Sequence, residues 1–231
     1  MKPQKAIIFD SGTLISLSLA SLTEELRGLK KIFSGKFIIT KEVKKEVIDK
    51  PLNIKKFELE ALRIQALLNE GVLEMPSIVG VNENELSKKT EEVKSIANST
   101  FHSFGKDGRD IHLIDDGEAS CLALSKMLSE KGIDNVIAVD ERTTRMLGEN
   151  PENLRKLMIE RLHVNIQTNK ENYKLFSGMN FIRSSELVYV AYKKGLFKLK
   201  DPQVLDAALY AVKFKGAAIS GEEIEEIKRL K

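Results

Sequence analysis

The 231-residue sequence contains a single cysteine, Cys121, and no tryptophan. One cysteine excludes an intramolecular disulfide and a cysteine-rich zinc site, and it fits a reducing compartment such as the cytoplasm. No apolar run reaches the ~18 residues that a membrane-spanning helix needs. The N-terminus also lacks the basic start, apolar stretch and cleavage site of a secretory signal. We therefore expect a cytoplasmic protein with no membrane partner.

The chain also has little net charge. Although 31% of its residues are charged, the formal net charge at pH 7 is only +3. Such a balance does not by itself indicate a nucleic-acid-binding protein, so any basic surface that binds RNA must be local. Hydrophobic residues make up 42% of the chain and aromatic residues 6%, which is typical of an ordinary aliphatic core. The length allows one large domain, or a core with an appendage.

Two apolar runs in this sequence stop on an aspartate. Ile7, Ile8 and Phe9 precede Asp10, and the run 135–139 precedes Asp140. Continuous β-branched and aromatic runs predict buried strands of a parallel sheet. In such a sheet the binding crevice lies outside the carboxyl ends of the strands, and neighbouring strands are ~4.8 Å apart. We therefore expect the two aspartates at the carboxyl ends of neighbouring central strands.

The alternation of strands and helices predicts an α/β fold with a central parallel sheet of about four or five strands flanked by helices. Further strands are expected at 36–39 and 163–166. Helices are expected at 14–32, from Thr40 to Pro51, and at 53–70, 83–97, 151–161, 184–194 and 202–214. Residues 1–166 would form the α/β domain, with an insert at about 80–113. Residues 167–231 would form a C-terminal helical extension packed on that domain, beginning with an irregular connection at 167–183.

More acidic side chains are predicted near the same sheet edge. Asp115, Asp116 and Glu118 begin a helix, and Glu46 lies on the helix that Thr40 caps. Several carboxylates within a few ångströms repel one another unless a cation lies among them. Because Mg²⁺ and Mn²⁺ suit sites made of oxygen ligands, the pattern indicates a site for one of these cations.

Each acid also has a simpler explanation. Asp10 and Asp140 are suited to capping the helices that follow them. Glu118 lies three residues after Asp115, as in a capping box. Glu46 is four residues before Lys50, a spacing that allows a weak surface ion pair. A cation site would be unnecessary only if all four of these explanations held at the same sheet edge.

Three stretches resemble the PIN-domain nucleases: residues 9–15, residues 39–47, and Gly117-Glu118-Ala119 followed by residues 139–141. In that family the first strand ends on an aspartate followed by Ser or Thr. A V-x-x-E-[LV] segment then matches Glu46 rather than Glu42. The Gly-Glu-Ala sequence and the tail segments 193–197 and 218–223 are similar to a toxin-like, archaeal-type subgroup. The resemblance covers residues 5–166 best.

The resemblance implies a three-layer α/β/α fold and a metal-dependent endoribonuclease. It assigns catalysis and Mg²⁺ or Mn²⁺ binding to Asp10, Glu46, Glu118 and Asp140. From the clustering of acids we also expect Asp116 as an outer member of the metal site. Ser11 and Thr13 are expected to position a carboxylate or phosphate, and Arg142 and Arg145 to meet phosphate. For Arg142 a salt bridge to Glu141 or simple solvation is the competing interpretation.

The insert 80–113 is longer than the compact family pattern. Its second part contains Gly105 and Gly108 and has no apolar anchor after Phe104. We expect residues 98–113 to be mobile without RNA and to lie beside the acidic cleft.

Two other interpretations remain open. Asp10-Ser11-Gly12-Thr13 is similar to the start of haloacid dehalogenase-type phosphatases, but the second aspartate of that motif is missing. A non-catalytic PIN fold would instead be an RNA-binding or assembly module. The partners implied by the family are an RNA substrate, an antitoxin protein for its toxin members, and a second copy in a homodimer.

Overall fold

The computed structural model describes residues 5–103 and 109–230. Its strands are β1 (Lys5–Phe9), β2 (Lys36–Ile38), β3 (Phe101–Ser103), β4 (Asp134–Ala138), β5 (Ile166–Thr168) and β6 (Phe181–Ile182). Its helices are α1 (Ser11–Leu19), α2 (Thr23–Ile32), α3 (Lys41–Lys44), α4 (Glu58–Asn69), α5 (Glu83–Asn98), α6 (Asp116–Glu130), α7 (Arg142–Glu149), α8 (Pro151–Leu162), α9 (Tyr173–Phe176), α10 (Ser184–Lys193), α11 (Val204–Phe214) and α12 (Gly221–Arg229).

The central sheet has four parallel strands in the order β2-β1-β4-β6. This confirms the predicted α/β class and the predicted pairing of the strands that precede Asp10 and Asp140. The chain leaves β1 for β2 on one side, while β4 joins β1 on the other side. The direction of winding therefore changes between β1 and β4, which is where ligands bind in open α/β sheets.

The core is built from the apolar runs that predicted the strands. Ile8 and Phe9 of β1 are fully buried, and Phe9 packs edge-on against Phe37 of β2 with ring centroids 5.1 Å apart. α6 packs across β1 and β4, and α5 packs against α6. With α1, α10 and α11 packed together, the arrangement is compatible with three layers. In the described part of the chain, no helix combines the length and apolar character needed to cross a membrane.

Several predicted boundaries were wrong. The strand expected at 163–166 starts only at Ile166, because His163 ends α8 with a left-handed backbone (φ 53°). β5 then pairs antiparallel with β3 in a separate two-stranded sheet. The fourth strand of the central sheet is β6, which lies in the stretch expected to be an irregular connection. The single helix expected at 14–32 is two helices, separated at Ser21, which has a positive φ of 59°.

The helix that begins at Thr40 is irregular rather than continuous to Pro51. Thr40 caps α3 as predicted, since its hydroxyl accepts the Val43 N–H at 3.2 Å. After α3 the chain forms a π-helical turn over Lys45–Asp49, in which the Lys50 N–H donates to the Lys45 carbonyl. A π-turn inserts one residue into a helix and often marks a functional site. Here the turn contains Glu46.

The described part of the predicted mobile loop 98–113 is hydrogen-bonded and partly buried. Phe101 is fully buried in β3, and the Ile111 N–H donates to its carbonyl at 2.9 Å. The Leu113 N–H donates to the Asn98 side chain at 2.6 Å, which ties this segment to the end of α5. Residues 104–108, which include both glycines of that prediction, lie outside the described residues.

Candidate functional site

Asp10 lies directly after β1 at the point where the winding of the sheet changes. The residue is 3% exposed, and its Oδ2 accepts the Gly12 N–H at 3.0 Å, so it does cap α1. Its other oxygen, Oδ1, is buried without a hydrogen-bond partner among the described residues. A buried carboxylate oxygen without a donor is costly and calls for an explanation such as an ion.

The electrostatic environment of Asp10 shows which other acids lie near it. The pKa of Asp10 is raised to about 7, first by burial and then by the charge of Glu118. The charge of Glu46 also raises it, while the N–H groups of Gly12 and Ser11 oppose the rise. Like charges disfavour ionisation in this way only when they lie close together. Asp10, Glu46 and Glu118 therefore form one electrostatically coupled group.

Cys121 supports the same grouping from the adjacent helix. Its thiol is buried on α6 and lies 3.7 Å from the Phe9 carbonyl oxygen. Burial raises the pKa of this thiol well above its usual value, and the charges of Asp10, Glu118 and Glu46 raise it further. The carboxylates of Asp10, Glu46 and Glu118 thus all raise the pKa of one neighbouring thiol, that of Cys121.

Glu118 is held by donors on both sides. Its Oε2 accepts the Asp115 N–H at 2.9 Å, which is half of the predicted capping box, and its Oε1 accepts the Thr144 hydroxyl at 2.7 Å. Burial raises the pKa of Glu118, and these two hydrogen bonds oppose the rise. Glu118 can therefore cap α6 and also belong to the acidic group, because its carboxylate has two oxygens.

Glu46 approaches α6 where that helix has no side chain. A Cβ atom added to Gly117 would lie 2.5 Å from Glu46 Oε2, which is closer than such atoms come in proteins. Gly117 therefore leaves room for the carboxylate beside the start of α6. The predicted alternative pairing of Glu46 with Lys50 is not among the ion pairs of residues 5–103 and 109–230.

Asp140 lies at the same sheet edge but has different partners. Its Oδ1 accepts the Ser184 N–H at 2.8 Å, so Asp140 caps the distant helix α10, whereas Glu141 caps α7. Burial raises the pKa of Asp140, while Ser184, Ser16 and the Arg145 charge oppose the rise. Its Oδ2 is buried and has no partner in the part of the chain that the structure describes.

The sheet register explains why the two aspartates face different neighbours. Phe9 pairs with Ala138, and the Asp10 N–H donates to the Ala138 carbonyl at 2.9 Å. Asp10 is therefore level with Val139, and Asp140 comes one residue later. Because side chains alternate between the two faces of a sheet, this offset directs Asp10 and Asp140 to different sides of the edge.

The remaining predicted site residues lie around this edge. Thr13 is fully buried, and its hydroxyl has no partner within the described ranges, whereas the Ser11 N–H acts on Asp10. Asp116 is exposed and pairs with Lys94 of α5 at 2.5 Å. Arg142 is exposed at the start of α7. Glu141 accepts the Thr144 N–H at 2.7 Å.

Arg145 is a half-buried cation beside Asp140. Its Nε is buried and lacks an acceptor in the described part of the chain. Burial and the nearby charge of Arg183 lower the pKa of Arg145. Arg183 itself is paired with Glu223 at 2.6 Å and with Glu186 at 3.4 Å. An unpaired guanidinium here suits an anionic group of a ligand.

The donors that hold the acids were not predicted. Ser184 begins a segment that was predicted only as a helix, and Thr144 lies outside the predicted helices. The contact between Asp140 and Ser184 joins residues 44 positions apart, so no local sequence pattern predicts it. Arg183 followed by Ser184 and Glu186 has the spacing of a helix start, which is the one signal that could have drawn attention to Ser184.

The acids do not form a closed metal-binding set as they stand. In residues 5–103 and 109–230 no group of three or more His, Cys, Asp or Glu side chains has the arrangement of a metal site. The two unpartnered oxygens, Asp10 Oδ1 and Asp140 Oδ2, are nevertheless the type of ligand that Mg²⁺ and Mn²⁺ take. The donor chemistry therefore fits such a cation. Comparisons of the chain with protein-family models, with curated proteins and with solved structures found no match.

Proposed function

We propose that the chain is a metal-dependent ribonuclease with a three-layer PIN-type fold that hydrolyses RNA phosphodiester bonds. The observation that supports this most is the coupling of Asp10, Glu46 and Glu118 at the change of winding of a parallel sheet. Asp140 adds a fourth carboxylate at the same edge. Such a concentration of buried negative charge is unfavourable for the protein alone, so a ligand cation is the simplest reason for it.

The residues present suit Mg²⁺ or Mn²⁺, with the coupled group Asp10, Glu46 and Glu118 as the main ligands. Asp140 lies on the other side of the same edge, and Asp116 is exposed at the start of α6. When bound, such an ion lowers the pKa of a coordinated water and neutralises charge on phosphoryl oxygens. The chain's own part is to orient these ligands: the Gly12 N–H holds Asp10, and the Ser184 N–H holds Asp140.

The substrate side of the proposed site is basic and polar. Arg145 lies beside Asp140 with an unpartnered Nε, and Arg142 begins the same helix. We assign both arginines to contacts with phosphate oxygens, which guanidinium groups bind in a fork. The start of α1 at Ser11 lies next to Asp10, whereas Thr13 is fully buried and cannot meet a substrate in this structure.

Single-stranded RNA incubated with the protein tests this proposal. We expect cleavage with Mn²⁺ or Mg²⁺ and none with EDTA. We also expect 5′-phosphate and 3′-hydroxyl ends, because an activated water rather than the 2′-hydroxyl attacks. Cleavage that continues in EDTA, or that leaves 2′,3′-cyclic phosphate ends, contradicts the proposal.

A non-catalytic RNA-binding or assembly module is the second candidate. The absence of a closed metal-binding set among the described residues favours it. This candidate predicts RNA binding that is the same with Mn²⁺ and with EDTA, and RNA that stays intact in both. The incubation above distinguishes the two candidates.

A further inference from the structure

Glu141, the residue after Asp140, is connected to the acidic group through Thr144. Its Oε2 accepts the Thr144 N–H at 2.7 Å, and the Thr144 hydroxyl donates to Glu118 Oε1 at 2.7 Å. One residue of α7 therefore contacts both carboxylates, so Glu141 lies beside Glu118. The charge of Glu141 accordingly raises the pKa of Glu118. Only Oε2 of Glu141 takes part in the cap of α7, which leaves Oε1 for a further partner.

The register of the sheet explains why Glu141 faces the acidic group. The Asp10 N–H donates to the Ala138 carbonyl, so Asp10 is level with Val139, directly after β4. Side chains alternate along an extended chain, so the residue after Val139 points away from the Asp10 side and the second residue after it points back. Glu141 is that second residue, and its own backbone is extended, with φ −69° and ψ 130°.

Asp140 has partners that give it a different role. Its Oδ1 accepts the Ser184 N–H at 2.8 Å, and this bond holds the first residue of α10 at the sheet edge. The charge of Arg145 favours the ionised form of Asp140, so this carboxylate already has a cationic neighbour. The charges that raise the pKa of Asp10 come instead from the other two members of the coupled group. Asp140 is therefore engaged away from that group.

We propose that Glu141, rather than Asp140, supplies the fourth carboxylate of the cation site, and that Asp140 is a positioning residue that fixes the start of α10. The assignment rests on the proposed metal-dependent function. It departs from the family resemblance, which gives the fourth place to Asp140. A cation is called for because Asp10 Oδ1 is buried without a partner in the described part of the chain, close to the charges of Glu46 and Glu118.

The exposure of the two residues agrees with this division of roles. Glu141 is exposed, whereas Asp140 is only 2% exposed. Mg²⁺ usually keeps several water ligands, so a site for it needs an open side. A carboxylate at the solvent side of the coupled group can reach a cation that is still partly hydrated. The buried Asp140 is better suited to a fixed hydrogen bond within the protein.

Mn²⁺ binding by the metal-free protein tests the assignment of Glu141 without cleavage. Isothermal titration calorimetry compares the parent with E141Q, D140N and the control E130Q, which changes an exposed glutamate at the far end of α6. E141Q and D140N both keep an oxygen that can accept the capping N–H, and circular dichroism verifies that each variant is folded. We expect E141Q to bind Mn²⁺ at least about tenfold more weakly, and D140N and E130Q to stay within about threefold of the parent.

Amide hydrogen exchange tests the positioning role of Asp140. D140A removes the acceptor of the Ser184 N–H, so we expect this amide to exchange at least about tenfold faster than in the parent. D140N should restore slow exchange, because the bond needs an oxygen at this place and no charge. Exchange of the Ser184 amide in D140N as fast as in D140A overturns this role.

Mn²⁺ affinity of E141Q equal to that of the parent, or a loss in D140N as large as in E141Q, overturns the assignment of Glu141. RNA cleavage by the parent in Mn²⁺ separates this proposal from the proposed function. If E141Q loses Mn²⁺ affinity as expected but the parent cleaves no RNA, only the ribonuclease function fails. If the parent cleaves RNA while E141Q binds Mn²⁺ as tightly as the parent, only the assignment of Glu141 fails. If the parent binds no Mn²⁺, both fail.

Discussion

Replacing Asp10 by Asn should stabilise the metal-free protein at neutral and alkaline pH. Asp10 is 3% exposed, and its pKa of about 7 lies roughly three units above the value of 3.8 for an unperturbed aspartate. Each unit corresponds to about 1.4 kcal/mol, so ionised Asp10 costs the fold up to ~4 kcal/mol. Asn keeps an oxygen that can accept the Gly12 N–H. Its amide group would replace the charge that Glu46 and Glu118 repel.

The sign of the pH dependence follows from this raised pKa. Between pH 4 and 7 the folded state binds more protons than the unfolded state, so the parent loses stability as the pH rises. The cost is absent below pH 4 and complete above pH 7. We expect the advantage of D10N to be about 2 kcal/mol at pH 5 and about 4 kcal/mol at pH 8. The unsatisfied amide hydrogens of Asn make these figures upper values.

Urea unfolding in EDTA at pH 5 and pH 8 measures the difference. D134N is the matched control, because Asp134 is exposed at the opposite end of β4, and it should differ from the parent by less than ~0.5 kcal/mol. With Mn²⁺ at 100 times its Kd, the parent should gain about 2.7 kcal/mol and D10N much less. A D10N variant less stable than the parent at pH 8 in EDTA, or a difference that does not change with pH, would refute the reasoning.

Two further predictions concern the groups that position Glu46 and Glu118. G117A should lower the rate of RNA cleavage, because its Cβ would displace the Glu46 carboxylate. Urea unfolding should show the fold unchanged or more stable by up to ~1 kcal/mol, as for G221A, whose Cβ has ordinary contacts and whose activity should match the parent. Equal cleavage rates for the two glycine variants would contradict this role of Gly117. T144V removes the hydroxyl that donates to Glu118 and should raise the Mn²⁺ concentration for half-maximal cleavage about tenfold. An unchanged Mn²⁺ dependence would show that Thr144 does not support the metal site.

The sequence predicted those features that arise from local patterns. The apolar runs before Asp10 and Asp140 predicted two buried parallel strands, and these strands are paired in the centre of the sheet. Thr40 caps a helix as predicted, because a hydroxyl before a helix start accepts an N–H two or three residues on. The predicted charged helix at 83–97 is α5, which differs by one residue at its end.

Features that depend on distant residues were missed. β6 is two residues long, too short for a hydrophobic period, and becomes a strand only by pairing with β4. The orientation of the Asp140 side chain depends on its hydrogen bond with Ser184. The position of the Glu46 carboxylate depends on the π-turn and on the space at Gly117. The simpler explanations of the acids were partly right, since Asp10 and Glu118 do take part in helix caps. A carboxylate with two oxygens can cap a helix with one and still face the site with the other.

Single-turnover cleavage of a labelled single-stranded RNA at saturating Mn²⁺ tests the central claim most directly, which is that the acids at this sheet edge carry out metal-dependent RNA hydrolysis. The parent, D10N and D134N are compared with protein in excess over RNA, so that weaker RNA binding does not limit the rate. We predict that the parent and D134N cleave at the same rate and that D10N shows no cleavage above the rate without protein. Cleavage by D10N at the rate of the parent would contradict the account.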